Sequence, residues 1–460
     1  MRSSPIRRLV PVLATTAMLV ACDSDRPTRA LPLPNDGAAG VIPEQRNAAA
    51  LAAVMEGNAQ AILAVPSLVP PGAPVAPPVE SRLHAIVNVA MHDALNAITP
   101  RHARYADTGA RAGDAYPAAA VLTAAHDAIV GAAPGATAAV DAWYAARMAE
   151  LGRRRNVSEG VAVGARAAAA ILARRTNDGT AGGGIAPYTP GSAIGDYQFT
   201  FPFNTPGFDF FGTGGFADGS VWGVSVQPFV ILSTSQFRAP PPYGAADNTA
   251  AVQTAAYTHD FHEVAALGCA ACAARTADQT EIALFWLENS PSGWNRIART
   301  LAGHAALDAW EAARLFALLH IGEFDALATS LESKYHYNFW RPVTAIAQAA
   351  TDGNPATQPV AGWDVLGFPT PPIPDYPSGH STAGAVAATV IDQVMGTRAG
   401  GFSMTSASLP GVTRHYDSVA AAARENADSR VYVGFHFRHA TDVGYEQGRR
   451  VGMWVARALR

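Results

Sequence analysis

The chain has 460 residues, a formal net charge of −4, 49% hydrophobic and 15% charged residues. That length can bury a large core and by itself suggests two or more domains. The slightly acidic balance argues against nucleic acid as a partner. Lys and Arg together number 33, yet Lys334 is the only lysine. A lysine that survives among so many arginines marks a position where a guanidinium does not substitute for an ammonium, because the two differ in shape and hydrogen-bond geometry.

Residues 1–22 carry Arg2, Arg7 and Arg8, then a short apolar run, then Leu19-Val20-Ala21-Cys22. This is a charged n-region, an h-region and a small-residue cleavage site. The Cys after the small residue resembles a bacterial lipobox, in which Cys22 becomes the lipidated terminus. A plain secretory signal is the alternative, and both readings export the protein to the periplasm or cell envelope. Residues 23–45 are rich in Pro, Asp, Ala and Gly and read as a flexible tether. No later run reads as a membrane-spanning helix.

Two regions follow, 46–250 and 251–460. Apolar spacing predicts helices over 46–63, 81–98, 116–132, 136–151 and 158–176. His84 and His92, in the second of these, read as buried helix residues before ligands. Residues 179–250 are dense in Gly, Pro and aromatics, an irregular stretch expected to wrap over the helices. Helices resume at 276–289, where Thr276 and Gln279 are placed as a capping box. Further helices are predicted at 294–320, 322–335, 380–396, 413–427 and 429–457. Cys269 and Cys272 form a CxxC pair without a second ligand pair. A local disulfide or two free thiols are therefore favoured over zinc.

Three stretches carry chemistry. In Lys334-Tyr-His-Tyr-Asn-Phe-Trp-Arg341-Pro342, two cations seven apart share a helical face if the helix continues, and Pro342 ends it. Two cations without a carboxylate on that face call for an anion. In Pro374-Asp-Tyr-Pro-Ser378-Gly379-His380, a tight turn leads into a helix N-terminus with free N–H groups. Ser378 adds a hydroxyl, Gly379 allows close backbone approach, and His380 transfers protons near neutral pH. In Ser429-Arg430-Val-Tyr-Val-Gly-Phe-His436, a continuous helix would set Ser429 and His436 two turns apart, with the Arg430 fork beside them. Three cations, two donors and two histidines suit a tetrahedral oxyanion, as in phosphoryl-transfer or vanadate chemistry.

The order KxxxxxxRP, PSGH, SRxxxxxH resembles the superfamily that unites vanadium-dependent haloperoxidases, type 2 phosphatidic acid phosphatases and bacterial acid phosphatases. The stretches ARTADQTEIALFW at 274–286, YNFWRPVTAI at 337–346, HFRHATDVGYEQGRRVG at 436–452 and MHDALNAI at 91–98 are similar to exported bacterial members of the haloperoxidase branch. The resemblance implies an all-α fold of helical bundles with a long irregular Gly/Pro-rich insertion, and the catalytic bundle within 251–460. It also implies vanadate as cofactor. His436 would be its metal ligand through Nε2. Lys334, Arg341, Arg430, Ser378 and the Gly379 N–H would hold its oxygens, and His380 would act as acid–base. Hydrogen peroxide would then oxidise a halide, or through it a small organic substrate. The only membrane contact would be a lipid on Cys22, and a homo-oligomer stays open. In the phosphomonoesterase alternative, His436 is the nucleophile and His380 protonates the leaving group. An inactive anion-binding lipoprotein is a third reading.

Two positions depart from the family pattern. Many members have an Asp four residues after the ligand histidine to orient its second nitrogen, where this chain has Ala440. Asp442 lies off that face, so a backbone carbonyl or Asp417 is the expected substitute. Seven residues before His380 stands Ile373, where haloperoxidases of known halide preference tend to carry Phe or His.

Overall fold

A computed structural model describes residues 43–180, 191–205, 223 and 225–460. The leader, Cys22, most of the tether and parts of the 179–250 insertion lie outside the described residues. The fold is helical. In the N-terminal region run α1 (Pro43–Ala64), α2 (Pro77–Ile98), α3 (Pro117–Ala132), α4 (Thr137–Leu151) and α5 (Val157–Arg175). After the insertion come α6 (Asn248–Val252), α7 (Ala255–Leu267), α8 (Ala277–Phe285), α9 (Ser290–His304), α10 (Ala309–Tyr337), α11 (Pro342–Gln348) and α12 (Gly379–Met395). A two-stranded antiparallel hairpin, β1 (Phe402–Thr405) with β2 (Thr413–Tyr416), precedes α13 (Val419–Tyr432) and α14 (Arg438–Val455).

The spine is α10. It has 29 residues, about 43 Å at 1.5 Å per residue. One flank packs against α1 and α2, the other against α12 and α14, so one helix belongs to both bundles. Its start is a capping box: Asp308 accepts from the N–H groups of Trp310 and Glu311, while Glu311 reaches back to the Asp308 N–H. The sequence reading split this region at the wrong place. The break falls at 305–308, after α9, because Asp308 is the stronger helix start; Gly322 lies buried inside α10, where a side chain would press on Val386 and Val390. Likewise 413–427 is not one helix but strand β2 followed by α13, capped by Ser418. The expected helix 429–457 is broken between Tyr432 and Arg438. The Thr276–Gln279 capping box is formed, and Cys269 and Cys272 are joined by a disulfide.

Close packing of α12 on α14 depends on Gly444, Gly448 and Gly452, one per turn on a single face. A Cβ at any of them would collide with the backbone or side chains of Ser378, Thr382 or Thr389. This contact sets the start of α12 firmly against the C-terminal bundle. One segment, Glu44–Leu68, does have the length and hydropathy to cross a membrane, contrary to the sequence reading. Its α1 portion packs onto α3 and α10 and is part of the core.

The described part of the insertion is tied to α10. Asp325, fully buried, accepts from the N–H groups of Phe229, Val230 and Ile231 at 2.6, 2.9 and 3.1 Å. Gly195 and Tyr197 pair by backbone hydrogen bonds with Trp340 and Asn338. The insertion therefore touches the turn that follows α10, next to the three chemical stretches.

Candidate active site

The three stretches converge at one end of the C-terminal bundle. Lys334 lies in the last turn of α10, buried, and its Nζ donates to the carbonyl oxygens of Pro374 (2.7 Å) and Asp375 (2.8 Å). An ammonium has three donors, so one remains. Arg341 does not continue that helix. Asn338 takes a left-handed conformation (φ 52°) and ends α10, and Pro342 opens α11 with Arg341 as its N-cap. Pro at the first helical position fits because its missing N–H would be unsatisfied there anyway. The turn sends Arg341 back towards Lys334. Its Nε donates to the Ile373 carbonyl (2.8 Å) and its Nη1 to the Phe435 carbonyl (2.9 Å).

Ser378 caps α12. Its Oγ accepts from the N–H of Ser381 (3.4 Å) and from the Ser381 hydroxyl (3.0 Å). Ser378 therefore accepts twice and keeps its own proton to donate. Gly379 is the first residue of α12, where the N–H has no intrahelical partner. A Cβ there would sit 3.8 Å from Ser330 Oγ and 4.0 Å from Lys334 Cε. The missing side chain leaves a cradle between the helix start and the ammonium. His380, next along, is half-buried, and its Nε2 donates to the Glu288 carbonyl at 3.2 Å. A carbonyl only accepts, so Nδ1 is the ring's acceptor.

Arg430 lies in the last turn of α13 and is buried. Its Nη1 donates to the Trp286 carbonyl (3.0 Å), while its Nε has no partner within the protein. Gly434, with φ of 83°, then turns the chain so that Phe435 and His436 both donate backbone N–H to the Arg430 carbonyl. His436 thus reaches the site from a turn rather than from a helix shared with Ser429. Its Nδ1 is 2.8 Å from Asp375 Oδ1, and its Nε2 is 3.0 Å from Arg341 Nη1. The orienting groups expected from the sequence are elsewhere: Asp417 and Asp442 are exposed, Asp442 facing Arg424, and Ala440 has its carbonyl bonded to the Ser378 N–H.

Electrostatically the site is short of negative charge. Burial holds the Lys334 ammonium well below its ordinary pKa, with Arg341 and Arg430 pushing the same way and Asp375 opposing. Burial and Arg341 bring Arg430 down to about 9. Burial first, then the surrounding cations, holds His380 and His436 well below the usual histidine range. Burial pushes Asp375 up to about 7 against the pull of Arg341 and Lys334. Three buried cations face this one buried carboxylate. A bound oxyanion would relieve that imbalance and give the free donors of Lys334, Arg430, Ser378 and Gly379 their acceptors.

Residues missed in the sequence are Asp375 and the backbone carbonyls of Trp286, Glu288, Ile373, Pro374 and Phe435, which accept from the site side chains. Asp375 had one signal, its place three residues before Ser378, and it became meaningful only beside the missing carboxylate at Ala440. The backbone carbonyls carry no side-chain signature.

The helical-bundle fold is the one shared by solved vanadium-dependent haloperoxidases, and the C-terminal part of the chain is similar to proteins of that kind. Residues 314–460 match the family model described as the VCPO second helical-bundle domain. The chain is similar to the vanadium chloroperoxidase of Curvularia inaequalis, 27% identical over 281 residues, which are 47% of this chain and 45% of that protein. The match thus spans less than half the length of that relative. Among solved structures, a bacterial vanadium-dependent iodoperoxidase superposes with a TM-score of 0.69 at 22% identity, covering 89% of this chain and 96% of that one. An apo-type bacterial vanadium-dependent chloroperoxidase superposes at 0.64 and 18% identity, covering 84% and 95%. At these identities the superpositions establish a shared fold.

Proposed function

We propose that the chain is a vanadate-dependent haloperoxidase that uses hydrogen peroxide to oxidise a halide to a hypohalous species. The observation that carries this reading is the set of three buried cations, Lys334, Arg341 and Arg430, opposed by one carboxylate and converging with the α12 N-terminus on His436. The donor set fits vanadate: cations and neutral donors for its oxygens, and an unprotonated imidazole nitrogen for the metal. Bound vanadate supplies a Lewis acid that activates peroxide towards halide. Lys334, Arg341 and Arg430 would neutralise the anion's charge, and the Ser378 hydroxyl and Gly379 N–H would donate to its oxygens. His436 Nε2 would be the nitrogen that holds the metal. His380, neutral at neutral pH and with Nδ1 free to accept, would take the proton that the incoming peroxide gives up.

The same residues serve a phosphomonoesterase, because an unprotonated His436 Nε2 next to three cations is also a phosphoryl acceptor. Assays of the full chain with vanadate, peroxide and iodide, bromide or chloride, run beside phosphate-ester hydrolysis without vanadate, separate the two. Vanadate-dependent halide oxidation supports the first reading. Ester hydrolysis alone supports the second. Absence of both supports an anion-binding lipoprotein.

The leader sequence supports export and a lipid anchor on Cys22. Cys22→Ala should release the protein from the membrane fraction, and unchanged fractionation would remove the anchor.

A further inference from the structure

His436 finds its second partner in a distant chain segment. Asp375 sits in the loop before α12, sixty-one positions earlier in the sequence, and both side chains are buried. Oδ1 of Asp375 lies 2.8 Å from Nδ1 of His436. Arg341 Nη1 borders both ring nitrogens, 3.0 Å from Nε2 and 3.4 Å from Nδ1, so the carboxylate is what distinguishes them. A carboxylate only accepts, so Nδ1, 2.8 Å from Asp375 Oδ1, is the nitrogen placed to carry the proton, and Nε2 is left as the acceptor. The Asp375 backbone is also fixed: its N–H donates to the Phe339 carbonyl (2.9 Å), and its own carbonyl accepts from Lys334. Ala440 is apolar and buried, and the two carboxylates of its helix, Asp442 and Glu446, are exposed and face Arg424 and Arg449.

We propose that Asp375 is the positioning residue of His436, holding the ring in the Nδ1–H tautomer and aiming Nε2 at the oxyanion, so that a loop carboxylate replaces one on the histidine's own helix. The inference rests on the reading of His436 as the group facing the oxyanion. It has a structural consequence. The loop 373–378 steers three site residues and the start of α12 at once: Arg341 through the Ile373 carbonyl, Lys334 through those of Pro374 and Asp375, His436 through the Asp375 carboxylate, and the α12 donors through the Ser378 cap. A substitution at Asp375 acts on the histidine without removing any donor to the anion.

The test separates tautomer, charge and fold. In apoprotein labelled with 15N-histidine, and with His436 assigned by a His436→Gln variant, wild type should show protonated Nδ1 and unprotonated Nε2. An Nε2–H tautomer in the wild type would overturn the proposal. Vanadate and phosphate affinities are then compared in wild type and Asp375→Asn. Only vanadate takes a bond from Nε2, so its affinity should fall relative to that for phosphate by about 10- to 100-fold. Removing a negative charge alone would strengthen both anions together, and a merely structural loss would weaken both together. Either parallel change, with the tautomer retained, would also overturn it. If wild type shows no preference for vanadate over phosphate, the haloperoxidase reading fails, while the tautomer result still decides the role of Asp375.

Discussion

The Lys334 ammonium rests on the carbonyl oxygens of Pro374 and Asp375, at 2.7 and 2.8 Å, and these two bonds hold it against the start of α12. The geometry gives the chain's single lysine a reason to persist. A compact ammonium makes two bonds to adjacent carbonyls and keeps a third donor, whereas a planar guanidinium has its donors in a fixed fork. Lys334→Met should lower phosphate and vanadate affinity by about 10- to 100-fold, the loss of one charge-assisted hydrogen bond of about 1.5–3 kcal/mol. Lys334→Arg should keep the anion bound but lose most turnover. Titration calorimetry beside an activity assay checks both, and full activity in Lys334→Arg would make the solitary lysine an accident of composition.

Gly434 makes the turn that returns the chain from Arg430 to His436. Its φ is 83°, and a Cβ would strike the carbonyl oxygen of Gly268. Gly434→Ala should cost about 1–3 kcal/mol of stability and weaken vanadate binding as well, since His436 moves with the turn. Urea denaturation and vanadate titration measure the two effects. A stable variant with wild-type affinity would show that the turn is not what places His436.

The cations, the helix N-terminus and the histidines were legible because each stretch is contiguous: Lys334 to Pro342, Pro374 to His380, Ser429 to His436. Their local geometry was not. The sequence suggested unbroken helices through Arg341 and His436, whereas Asn338 and Gly434 each adopt positive φ and break them. Around Gly434 nearly every residue is buried, so apolar spacing carries no sign of the break, and around Asn338 burial is mixed, with His336 exposed. The start of α10 lies at Asp308 and not near 322, because Gly322 is inside the helix, where its missing side chain lets α12 pack closely. Asp375 escaped notice because its partner is distant in sequence, and pairing across such distances has no periodicity to read.

Asp325 anchors the insertion through three buried amide hydrogen bonds. Asp325→Ala would leave the N–H groups of Phe229, Val230 and Ile231 without their acceptor. The loss should be about 3 kcal/mol or more, at about 1 kcal/mol or more for each buried donor. Chemical denaturation gives the stability change, and hydrogen exchange of residues 229–231 should rise with it. Unchanged exchange there would contradict the anchoring role.

Acid stability should carry the mark of His84. It is fully buried beside His320, neither ring nitrogen has a partner in the protein, and burial holds its pKa at about 3. Between about pH 6.5, where the unfolded residue takes a proton, and about pH 3, only the unfolded chain binds that proton, so stability falls as pH falls through this window. The full effect is on the order of 5 kcal/mol. Burial pushes Glu323 and Asp325 the other way, so the difference between wild type and variant isolates His84. His84→Gln should lose less melting temperature than wild type between pH 7 and pH 4. Parallel curves would show that His84 is not a buried neutral base.

The account stands most directly on whether the three-cation cradle holds one oxyanion with His436 as its ligand. Orthovanadate titrated into the full-length apoprotein should bind one equivalent, phosphate should displace it competitively, and His436→Ala should abolish vanadate binding while His380→Ala retains it. Vanadate that binds equally well to the His436→Ala variant, or that phosphate at high concentration fails to displace, would contradict the account.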